Sequence, residues 1–110
     1  VDIQTAWFNL HEAIKAMEAR DGDWEVMAAT CMAAMEMLLE YPSDQVLAVV
    51  EGSELPTRAT VSWMVFEGSK LGPDNRLRAG DLAAQWEAAN PGQKLIAPPP
   101  VASDKPLAIH

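Results

Sequence analysis

The residues able to do chemistry in this chain are few and far apart. His11-Glu12 opens like the zinc-protease signature, in which a second histidine follows one helical turn later. Lys15 stands in that place, and a protonated amine has no lone pair to give a metal. The only other histidine is His110 and the only cysteine is Cys31, too few ligands for a closed zinc site. A di-iron bundle would need Glu-x-x-His pairs from two helices, and none is written here. Any Ser-His-acid or Cys-His nucleophile would have to use His11, and no Gly-x-Ser-x-Gly turn presents a serine. Cys31 lies in the apolar run Met27–Met35, where a buried, unreactive thiol is expected. Glu51-Gly52-Ser53 and Glu67-Gly68-Ser69 are isolated glycines beside carboxylates, which repel phosphate rather than cradle it. The acidic pairs Asp21/Asp23 and Glu36/Glu40 are accounted for as helix caps and a solvated face. The expectation is a chain that is not an enzyme and holds no metal and no cofactor.

The elements that would position these residues read as helices. Ile3, Trp7, Leu10, Ile14 and Met17 recur at spacings of four and three, which predicts a first helix over about Asp2–Arg20. Trp24, Ala28, Cys31, Met35 and Leu38 repeat that spacing and predict a second over Trp24–Glu40. Met27, Met32 and Leu39 widen its stripe. Between them Gly22 can adopt the left-handed conformation that closes a helix, and Asp23 can cap the next. Two such helices joined by so short a turn form an antiparallel hairpin.

Tyr41-Pro42-Ser43 ends the second helix, and Ser43 or Asp44 can cap a third segment over 44–51. Ala48-Val-Val-Glu-Gly-Ser-Glu-Leu55 is echoed by Met64-Val-Phe-Glu-Gly-Ser-Lys-Leu71, each copy followed by a proline (Pro56, Pro73) and an arginine (Arg58, Arg76). The echo predicts helices over 44–51, about 56–67 and 73–89, each of the first two closed at glycine and followed by a proline-led successor. The competing arrangement pairs 45–51 with 59–66 as a strand hairpin, because valines are frequent there. Ala79, Leu82, Ala83, Trp86 and Ala89 line one side of the last helix, which stops at Asn90-Pro91-Gly92. Residues 93–110 hold four of the eight prolines and no periodicity, so an extended or disordered tail is expected. The organisation is therefore an all-α domain over 1–92, a hairpin plus about three shorter helices, with a Pro-rich tail at 93–110.

Bulk properties narrow the function further. With 110 residues and 49% hydrophobic content the chain can build one core without disulfides. Its net charge of −8 is uneven: residues 1–54 hold eleven acidic and two basic side chains, a net of −9, against five and six in residues 55–110, a net of +1. The acidic half repels nucleic acid and anionic membranes. No apolar run approaches the roughly 18 residues needed to cross a bilayer, and no leader-like segment opens the chain. A cytoplasmic protein is expected.

One segment carries a resemblance. Pro56-Thr-Arg-Ala-Thr-Val-Ser62, continuing to a glycine-closed end and then to Pro73-Asp-Asn-Arg-Leu-Arg78, resembles the recognition helix and following helix of bacterial repressors of the lactose-repressor type. That resemblance implies a helix-turn-helix in which Thr57 caps the recognition helix. Arg58, Thr60 and Ser62 would then lie near DNA, and Arg76 and Arg78 would reach phosphates. The chain departs from the pattern at Leu55, where the family carries glycine, and at Glu51, where it carries a small residue.

The tryptophans Trp7, Trp24, Trp63 and Trp86 fall one to each long helix at core spacing. Four of the six methionines lie in the second helix, where they serve as core filler or as an adaptable binding face. The apolar stripe of Trp24, Met27, Met32, Met35, Leu38 and Leu39 exceeds what one small core needs, which points to self-association or a protein partner. The expected function is thus a non-catalytic helical interaction or oligomeric adaptor module. Two alternatives stand beside it: a helix-turn-helix DNA-binding protein, such as a phage-type regulator or DNA-packaging accessory, and an acidic inhibitor occupying a basic site on a partner.

Overall fold

A computed structural model describes residues 2–20, 22–53 and 57–97. Among them the chain forms five α-helices and one 3-10 turn, and no strand. The helices are α1 (Ile3–Glu18), α2 (Trp24–Leu39), α3 (Ser43–Glu51), α4 (Thr57–Phe66) and α5 (Pro73–Ala89), with the 3-10 turn at Gly68–Leu71. The strand pairing of 45–51 with 59–66 is thereby replaced by α3 and α4.

The hairpin forms for the local reasons its sequence suggests. The Asp2 carboxylate accepts the Thr5 amide at 2.8 Å and starts α1, and this bond holds the carboxyl below its ordinary value. The Asp23 carboxylate accepts the Glu25 amide at 2.9 Å and starts α2. Helix α1 stops at Glu18, two residues short of expectation, because Arg20 already turns left-handed at φ +56°. Gly22 follows at φ +79°. At the next junction neither Ser43 nor Asp44 is the cap. Pro42 occupies that position without a side-chain bond, and Ser43 is the first, buried residue of α3.

The core takes Ala6, Trp7, Leu10, Ala13, Ile14 and Met17 from α1 and Cys31, Ala34, Met35, Leu38 and Leu39 from α2. The shorter helices complete it with Val46, Leu47, Val50, Val61, Trp63, Met64, Ala79, Leu82 and Trp86. Each large aliphatic side chain enclosed in this way contributes about 2 kcal/mol of burial. Helix α5 packs against α3, α4, the 3-10 turn and the end of α2, while α1 lies on α2, α3 and α4. The 3-10 turn sits so close to α2 that Gly68 has no room for a side chain: a Cβ there would meet Leu39 Cδ1 at 2.8 Å.

Residues 93–97 have no regular structure, yet they touch the domain. Leu95 is half-buried against the core and the Lys94 carbonyl accepts a bond from Arg58 Nε at 2.8 Å. Residues 98–110 lie outside the described ones. No helix among the described residues is long and apolar enough to cross a membrane.

Candidate interaction surface

The six apolar residues expected to form an interface divide three ways. Met35, Leu38 and Leu39 are enclosed, at 2%, 0% and 1% exposure, and belong to the chain's own core. Trp24 is half-buried, and Met27 is half-buried against the core. Met32 alone is well exposed, at 44%, so it lies outside the stripe rather than widening it. The shorter helices and α1 cover the rest of the stripe.

The five residues assigned to nucleic acid are also dispersed. Thr60 and Ser62 lie on the buried side of α4, and the Ser62 hydroxyl donates back to the Arg58 carbonyl at 2.7 Å. Thr57 is already helical. Arg58 turns toward the Lys94 carbonyl. Arg78 donates from Nη1 to the Leu39 carbonyl at 2.9 Å, where it satisfies an acceptor that the end of α2 leaves open. One turn further on, Asp81 accepts from Gln85 Nε2 at 3.0 Å. Only Arg76 projects to solvent with no bond or ion pair in the described chain. Helices α3 and α4 each lean on α1 and α5 more than on one another, unlike the paired helices of a DNA-reading unit.

Chemistry-bearing groups do not converge elsewhere. Among the described residues no three His, Cys, Asp or Glu side chains are grouped to hold a metal. The Cys31 thiol is buried beside Glu67, and burial first, the carboxylate second, pushes it up to about 12. An open cleft of about 380 Å³ lies between the start of α1 and the end of α3, lined by Gln4, Trp7, Ala48, Val49, Gly52 and Ser53. Trp7 Nε1 donates to Ser53 Oγ there at 3.0 Å, and no ionisable side chain among the described residues lines it. The described lining can offer apolar contact, the Gln4 amide and the Ser53 hydroxyl.

What remains is uncovered apolar surface: Phe8, Val26, Met32, Leu77 and Ile96. Leu77 is the most exposed, at 75%. It does not stand alone. At 100° per residue, Pro73, Leu77, Gly80, Ala84 and Ala88 form one stripe directly opposite the buried Ala79, Leu82 and Trp86. All five are exposed and uncharged. Gly80 costs this helix about 1 kcal/mol relative to alanine. Nothing among the described residues requires it, since a Cβ at that position would meet none of their atoms within 4 Å. The stripe could have been found from the sequence, because Pro73, Leu77, Gly80 and Ala84 repeat the four-three spacing of the core. The larger core residues on the other side of α5 carried that signal instead.

No protein family, curated protein or solved structure matches this chain.

Proposed function

We propose that this chain is a non-catalytic helical interaction module that works through self-association, in the cytoplasm, where its single buried thiol needs no partner. The observation that supports this is the outer stripe of α5, an uncharged helix face centred on a three-quarters-exposed Leu77. An apolar stripe along one side of a solvated helix is the usual means by which helices recognise each other. The arginines offered for DNA favour this reading as well, because Arg58 and Arg78 are engaged by backbone carbonyls of their own chain.

Sedimentation of the full chain from micromolar to millimolar concentration tests the proposal, with a mass that rises with concentration as the expected result. A monomer throughout, together with salt-sensitive binding of duplex DNA at micromolar concentration, would replace it with the DNA-binding alternative.

A further inference from the structure

Resting on self-association as the function, we infer that the occupant of the α5 stripe is the α5 of a second copy, running antiparallel and crossing at Gly80 and Ala84. Three observations converge on this. The first is the space at Gly80: an exposed glycine in mid-helix, where an added Cβ would meet no described atom within 4 Å, lets another backbone come close. The second is the position of two exposed charges. Arg76 and Glu87 lie on the same edge of the stripe, about 20° apart on the helix circumference. A two-fold axis between Gly80 and Ala84 sets Arg76 of each copy opposite Glu87 of the other, giving two symmetric ion pairs.

The third is electrostatic. Arg76 stands just beyond the first turn of α5 and Glu87 within its last turn, so each charge opposes the dipole of its own helix. An antiparallel copy reverses that relation. Arg76 then meets the negative end of the facing helix, and Glu87 the positive end. A parallel copy would leave both charges at the wrong ends.

The association is weak by construction. A helix of 17 residues is roughly 25 Å long and covers on the order of 400 Å² per copy, half of a standard interface. Asp81 lies on the opposite edge and comes near Asp81 of the second copy, a like-charge contact only partly relieved by Gln85. So small and partly opposed a contact is expected to form only well above the concentrations that suffice for a standard interface.

Charge exchange tests the inference on the full chain by sedimentation velocity between 10 µM and 1 mM. Arg76→Glu and Glu87→Arg should each weaken dimerisation about tenfold, and the double exchange, which restores the ion pairs but sets each charge against the unfavourable end of the facing helix, should recover part of that loss and dimerise about threefold more tightly than either single variant. Both residues are exposed and each new charge suits the dipole of α5, while Glu87→Arg also gives up the long 3.4 Å bond that the Glu87 carboxylate accepts from the Leu95 amide, so circular dichroism checks that each variant is folded. Gly80→Leu should abolish the dimer by blocking close approach while leaving the circular dichroism unchanged. A wild-type chain that stays monomeric at 1 mM overturns both the inference and the self-association reading. A dimer whose constant is the same in all these variants overturns the α5 assignment alone, and leaves self-association to another face.

Discussion

Arg78 reaches back across 39 residues to the Leu39 carbonyl, 2.9 Å away, and so fastens the middle of α5 to the last turn of α2. A cation at a helix C-terminus is favourable, and a charged donor on a partly buried carbonyl is stronger than a neutral one. Arg78→Ala is expected to cost about 1.5 kcal/mol, seen as a lower urea midpoint with an unchanged slope. Arg78→Lys should recover part of that loss. An Arg78→Ala protein as stable as the wild type would show the contact to be idle.

The two glycines nearest α5 should respond in opposite directions to the same substitution. Gly68→Ala drives a methyl to within 2.8 Å of Leu39 Cδ1, and Leu39 is itself 1% exposed with nowhere to retreat. A loss of about 1–2 kcal/mol is expected from that overpacking. Gly80→Ala meets open space and should raise monomer stability by up to about 1 kcal/mol through helix propensity. Thermal melts of both variants at low micromolar concentration measure the two signs together.

Cys31 gives the fold an alkaline limit. Its thiol ionises near 9.0 in the unfolded chain and is pushed to about 12 in the folded one. The folded state therefore keeps a proton that the unfolded state has lost between those values. The stabilisation is complete below pH 9 and falls as pH rises toward 12, by up to about 1.4 kcal/mol per pH unit. Cys31→Ala should be less stable at pH 7 because of the cavity, yet show a shallower decline above pH 9. Urea unfolding at pH 7, 9 and 10 of both proteins measures the two slopes, and equal slopes would contradict the assignment.

The segment just after α5 belongs to the domain as far as Leu95. Ending the chain at Gly92 removes the Lys94 carbonyl from Arg58 and the half-buried Leu95 from the core. Ending it at Ala97 keeps both. The shorter protein should melt several degrees below the longer one, as expected for a loss of about 1 kcal/mol in a domain of this size.

What could be read in the sequence was whatever short-range chemistry specifies. Gly22 and Asp23 mark the hairpin turn within three residues, and the stripe from Ile3 to Met17 finds the buried Trp7, Leu10, Ile14 and Met17 of α1, although Ile3 is only partly buried and Ala6 and Ala13 join the same face. Met32 shows where that method stops. Helix α2 is apolar on much of its outer side as well, with Val26, Ala29 and Ala33 exposed, so spacing could not tell a covered methionine from an uncovered one. The arginines were misdirected for a different reason. The partners of Arg58 and Arg78 lie 36 and 39 residues away, and no local pattern encodes such a meeting. Thr60 and Ser62 look polar enough for a surface, but on a short helix wedged between α1 and α5 they had to turn inward.

The central place of α5 also bears on how the chain comes off the ribosome. The hairpin of α1 and α2 can close as soon as its own residues have emerged. The faces of α3, α4 and the 3-10 turn that await Ala79, Leu82 and Trp86 stay uncovered until nearly the whole helical region has been made. Through that interval the sides of α3 and α4 that pack on α5 face water or a chaperone, and the last of the described helices to be synthesised is the one that closes the core.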